Sequence, residues 1–103
     1  MKFIENVFVA ESIEDVNTVF HALKNNIPVF NTFLICFNGD SQNMAEILSA
    51  KEILKEKNRE KAYIVIGVDG SRQEAYDLLR YIIQYACDKG WSLKELEQKI
   101  TEE

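Results

Sequence analysis

The stretch Asn38-Gly39-Asp40-Ser41-Gln42-Asn43-Met44-Ala45-Glu46-Ile47-Leu48 decides how this chain is read. Asn-Gly is the dipeptide a type I′ hairpin turn prefers, because both central residues need positive φ. It predicts that a strand over residues 29–37, rich in aromatic and β-branched side chains, turns back into a short strand at 40–42. Asn43 then caps a helix, with Glu46 at the position a capping box prefers. Ile47, Leu48, Ala50 and Leu54 supply the apolar stripe of that helix.

Upstream, residues 3–10 alternate as a strand, with Phe3, Glu5, Val7 and Val9 on one side and Ile4, Asn6, Phe8 and Ala10 on the other. Ser12 and Asp15 have capping-box spacing, and Ile13, Val16, Phe20 and Leu23 recur at helical intervals. Asn25, Asn26 and Pro28 close that helix. Downstream, residues 63–68 form a compact apolar strand ended by Asp69-Gly70. Ser71 and Glu74 open a helix striped by Ala75, Leu78, Leu79, Ile82 and Ala86, and Gly90 suits its C′ position. Ser92 and Glu95 start a last short helix carrying Leu93, Leu96 and Ile100. The order is β-α-β-β-α-β-α plus a terminal helix. It predicts one α+β domain over residues 1–103: an open-faced β-sandwich in which helices cover one face of a four-stranded antiparallel sheet.

Ferredoxin-like modules and the phosphocarrier HPr share this kind of order. The stretch at 38–48 resembles the HPr segment that runs from a Gly-containing turn through a short strand and an Asn cap. The helix after that cap carries the family's regulatory serine. Residues 58–70 are similar to the family's link, final strand and acidic-glycine turn. The resemblance covers residues 3–89; residues 91–103 are a C-terminal helical extension beyond it. The family loop after the first strand has the pattern Gly-x-His-Ala-Arg-Pro-Ala. Its histidine takes phosphate from Enzyme I and passes it to sugar-transport components. Here Ala10-Glu11-Ser12-Ile13-Glu14-Asp15-Val16-Asn17 stands there instead, with no His, Arg or Pro.

The position of the family histidine falls near Glu14. Glu11, Glu14 and Asp15 place negative charge where phosphate would bind, so the resemblance implies a lost carrier site. The one histidine, His21, sits mid-helix, where no backbone amide is free for phosphate. Glu46 occupies the regulatory-serine position, where it mimics a phosphoserine or serves only as the helix cap. The partner face implied by the resemblance takes in Glu14, Asp15, Glu46, Ile47 and Leu48, with Lys51 interrupting the apolar pair.

Composition excludes several classes. Of the 103 residues, 17 are acidic and 12 basic, for a net charge of −5. Nucleic-acid binding draws on clustered Lys and Arg, and the densest basic run, 51–61, is interleaved with Glu52, Glu56 and Glu60. No segment approaches the roughly 20 apolar residues of a membrane span, and residues 1–10 do not read as a signal peptide. A cytoplasmic protein is expected. Cys36 and Cys87 lie in apolar surroundings without metal-ligand spacing and read as small buried hydrophobes. No metal, cofactor or hydrolytic constellation can be assembled around one histidine.

The expectation is a non-catalytic, HPr-like regulatory or adaptor protein. It would act through protein partners of the phosphotransferase or carbon-regulation type, with no nucleic-acid or membrane role. Two alternatives stand beside it: a ferredoxin-like small-ligand module, and a phosphocarrier using Glu14 or His21. Oligomeric state is left open by the sequence.

Overall fold

The computed structural model describes residues 2–38, 45–55, 63–92 and 95. Along the chain come β1 (Lys2–Val9), α1 (Val16–Lys24), β2 (Phe33–Asn38), β3 (Glu46–Ser49), α2 (Ala50–Ile53), β4 (Tyr63–Asp69) and α3 (Arg72–Asp88). The strands form one four-stranded sheet in the order β1-β4-β2-β3. The α+β class is as expected, and so is the order of the elements. The finer geometry differs in four respects.

The sheet is mixed and not wholly antiparallel. β2 runs antiparallel to both β3 and β4, but β1 pairs with β4 in parallel. A parallel neighbour needs a crossover, and the chain between β1 and β4 supplies far more than the dozen residues that requires.

Helices also cover both faces of the sheet, where the one-sided stripes had suggested a single covered face. Ile35 and Phe37 of β2 pack with Ala75, Ile82 and Ala86 of α3. The alternate β2 residues, Leu34 and Cys36, pack with Val19 and Leu23 of α1 and with Ala50 and Ile53 of α2. Side chains alternate across a strand, so two cores built from alternate residues lie on opposite faces. All four of these β2 side chains are buried, which is why the strand reads as a continuous apolar run. β4 serves both cores as well. Its Cys36↔Val65 and Ile35↔Gly67 pairings leave Ile66 as an extra residue, a bulge that puts both Ile66 and Gly67 on the α3 side and returns Val68 to the α1 side. In β1 the register breaks between Phe3 and Phe8. Phe3 stacks on Phe20 of α1 at 4.3 Å, while Phe8 meets Tyr85 of α3 edge-on at 5.7 Å.

The third difference lies in the segment from Asn38 to Leu48. Of the expected Asn38-Gly39 turn, Asn38 is the last residue of β2, paired with Tyr63; Gly39, the 40–42 strand and the Asn43 cap fall outside the described residues. Glu46, Ile47 and Leu48 are in β3, not in a helix. The helix starts later, at Ala50, with the Ser49 hydroxyl accepting from the Glu52 amide at 3.0 Å. Tertiary burial explains the reversal. Ile47 packs toward α3 and Leu48 toward the α1 side, so adjacent apolar residues that mimic a helical stripe serve two opposite cores.

The fourth concerns element starts. β2 begins at Phe33, not at residue 29, and α1 begins at Val16 with Asp15 as its cap, not Ser12. The later boundaries agree with the sequence. Ser71 caps α3, its hydroxyl accepting from the Glu74 amide at 3.0 Å. Gly90, at φ 73°, ends α3 with Gly90 N–H on Cys87 O and Trp91 N–H on Ala86 O. That is a Schellman closure, and α1 ends the same way at Asn26, φ 59°. Ser92 and Glu95 make the expected reciprocal bonds; Leu93, Leu96 and Ile100 fall outside the described residues. Cys36 is buried as read, whereas Cys87 is exposed.

Candidate functional site

The parallel neighbours β1 and β4 are followed by helices on opposite faces, α1 and α3. In an open sheet such a divergence opens a crevice at the carboxyl ends of the two strands, the usual place for a ligand. Here the chain's own groups fill it. The Ser12 hydroxyl accepts from Gly70 N–H at 3.0 Å and donates to Asp69 Oδ1 at 3.4 Å. The same Asp69 oxygen accepts from Gly70 N–H at 2.6 Å and from Ser71 N–H at 3.3 Å. Asp69 is buried, so its carboxylate is compensated by these donors rather than by water. A Cβ on Gly70 would stand 2.6 Å from Ser12 Oγ, which shows how closely the two loops approach.

An anion drawn to the amides at the start of α3 would have to displace a carboxylate already bonded to them. Glu11, Glu14 and Asp15 add exposed negative charge on the loop beside it. Asp15 is committed to capping: it accepts from the Thr18 hydroxyl at 2.9 Å and from the Thr18 and Asn17 amides. Those bonds, the hydroxyl of Thr18 foremost, hold its carboxyl below the usual carboxylate range.

A third loop reaches the same end. The backbone carbonyl of Asn31 lies 3.8 Å from the Cβ position of Gly70. The loop's conformation is closely held. Asn26 and Asn31 both have positive φ, which Asn tolerates better than most residues. The buried Thr32 donates its hydroxyl to Phe30 O at 3.1 Å, and Thr32 O accepts from Ala50 N–H at 2.9 Å. Between these fixed points Phe30 projects with 89% of its surface exposed. An aromatic ring left in water at the tip of a braced loop has no packing role in the fold.

The residues expected to form a partner face divide. Glu14 and Asp15 belong to the loop after β1, and Lys51 is exposed on α2 next to Ala50, whose amide bonds the Thr32 carbonyl. Those three gather around the Phe30 end of the sheet. Glu46, Ile47 and Leu48 lie instead along β3, at the sheet edge opposite β1. Glu46 does not stand at a helix start, and so cannot act there as a phosphoserine mimic or as a cap. Its carboxylate accepts from the Tyr63 hydroxyl at 2.8 Å. Burial, then that bond, pushes the phenol of Tyr63 up to about 12. Burial, then the charge of Glu46, pushes the Cys36 thiol up as well, which suits an inert core residue.

Arg72 is engaged: it pairs with Glu52 at 2.6 Å, donates to Ile47 O and lies 5.1 Å over the Phe33 ring. His21 is exposed on α1, with Asn25 against it. Among the described residues no group of three His, Cys, Asp or Glu side chains could hold a metal ion, and no helix is long and apolar enough to cross a membrane.

Sequence reasoning missed Phe30 and the Ser12–Asp69–Gly70 contact. The first left a trace, since residues 25–39 contain no charged side chain in a chain where 28% are charged. The second left none, because it joins residues 57 and 58 positions apart. Comparison of the chain with protein-family models, with curated proteins and with solved structures returns no match.

Proposed function

We propose that this protein is a non-catalytic regulatory or adaptor domain that acts through protein–protein contacts at the Phe30 end of its sheet. The observation that carries the reading is Phe30 itself, almost fully exposed on a loop braced by Asn26, Asn31 and Thr32. Buried aromatic anchors carry much of the energy of protein interfaces. A loop already held in one conformation loses little entropy on binding. The nearby crevice supports the same reading, because its amides are taken by Asp69.

Co-purification from the cells that make the protein tests this, with wild type against Phe30→Ser. At least one protein should accompany the wild type in near-stoichiometric amount and be lost with the variant. The melting temperature should be unchanged, because residue 30 packs against so little. Equal recovery by both proteins would remove the reading.

A partner from the phosphotransferase system is the second reading, supported by the β-α-β-β-α-β-α order shared with HPr. In that setting the chain would be a regulator without a carrier histidine, Glu14 standing exposed where the family histidine falls. Intact-mass analysis after incubation with phosphoenolpyruvate and Enzyme I, with an ordinary HPr as control, should show no gain. A single acid-labile phosphate would make the chain a carrier and Glu14 and His21 the first residues to replace.

A further inference from the structure

From the charge around Phe30, and resting on the adaptor reading, we infer the chemistry of the partner: an apolar pocket on a protein, rimmed by Lys and Arg. The ring needs a concave apolar surface to leave water. The loop that meets the Phe30 loop across Gly70 carries Glu11 and Glu14, both exposed. The cation of the neighbouring α3 start, Arg72, is neutralised by Glu52, and among the described residues the exposed cations of the α2 segment are Lys51 and Lys55. The end is therefore apolar at its tip and acidic on the flank formed by the loop after β1, which carries Glu11, Glu14 and Asp15 without a basic residue.

Electrostatic complementarity across an interface then calls for a cationic rim, which suppresses acidic competitors and speeds encounter. The same charge disfavours other occupants. A membrane leaflet bearing anionic lipid and the phosphate backbone of a nucleic acid would both meet Glu11 and Glu14 with like charge. A second copy of this chain carries net charge −5 and would present the same carboxylates.

The test uses the full-length chain carrying p-benzoylphenylalanine at position 30, irradiated in the cells that make it, with the crosslinked peptide sequenced. A protein peptide from an apolar concavity flanked by Lys or Arg is expected. In extracts, yield should fall several-fold as salt rises from about 50 to 300 mM, since exposed charges are screened over that range. The charge reversal Glu11→Lys with Glu14→Lys should cut it by roughly tenfold, with helix content and melting temperature retained. A captured protein whose yield ignores both salt and the reversal overturns this inference and leaves the adaptor reading intact. Crosslinks to lipid, to nucleic acid or to the chain itself, or no crosslink at all, overturn both.

Discussion

Two strand-to-helix junctions in this molecule carry the same signal and end differently. Ser49-Ala50-Lys51-Glu52 begins at the last residue of β3, and Ser71-Arg72-Gln73-Glu74 follows β4. In each, the serine hydroxyl accepts from the amide of the glutamate at 3.0 Å. The first starts a helix of four residues and the second a helix of seventeen. The cap is therefore a start signal with no information about length. Length follows from what the next turns can bury. α3 sinks Ala75, Ile82 and Ala86 over successive turns, whereas α2 has only Ala50 and Ile53. The two starts are also tied to each other, Arg72 of one pairing with Glu52 of the other.

The comparison breaks most visibly in the cores. Ile82→Ala, in the middle of α3 and fully buried, should cost about 2–5 kcal/mol through lost transfer energy and the cavity left behind. Denaturant unfolding measures it. A loss below about 1 kcal/mol would mean that α3 does not depend on its packing.

Asp69→Ala comes next. It strips the acceptor from the Gly70 and Ser71 amides and the partner from Ser12. About 1–3 kcal/mol should be lost, and amide exchange should quicken at Gly70 and Ser71. Unchanged exchange there would show that the β4 junction is held by α3 alone.

Removing the caps sharpens the contrast. Ser71→Ala and Ser49→Ala should each cost about 1 kcal/mol, yet differ in reach. The long helix keeps its circular dichroism and frays at one end. α2 should lose protection throughout, because nucleating a single turn without its cap is unfavourable. Equal local exchange in the two variants would contradict the role given to length.

The smallest effect is a titration. With its folded value raised to about 12, the Tyr63 phenol contributes stability that is fully present below about pH 10. That contribution is lost as pH rises from there toward the folded value. Phenolate absorbance should show a late phase near pH 12 that Tyr63→Phe deletes. Should the late phase survive the substitution, burial and the Glu46 bond do not raise the Tyr63 phenol.

How much of this was legible follows from the range of each interaction. The α3 start at Ser71, its apolar stripe and its Gly90 end were readable, because each depends on residues within a turn or two. β4 was readable for the same reason, as a short apolar run bounded by Asp69-Gly70. The segment at 46–49 was not. Ile47 and Leu48 fit a helical stripe as well as a two-faced strand, and only pairing with Ile35 and Leu34 decides between them. Asn43 with Glu46 and Ser49 with Glu52 have the same cap spacing, so the local pattern by itself does not say which of the two starts the helix. At the candidate site the acidic loop was legible as charge, while the exposure of Phe30 was not. An apolar run beside a strand reads as core until the fold shows which residue is left outside.

The sequence alone determined the α+β class, the order of the elements, the net negative charge and the absence of a phosphoacceptor pattern in the first loop. All of these reside in composition or in contacts close along the chain. Tertiary structure alone decided that β1 lies parallel to β4, that both faces of the sheet are covered and that Asp69 closes the crevice. It also decided that Phe30 stands in solvent. Each of those outcomes is a competition between burial sites far apart in the chain, and local preference has no term that ranks them.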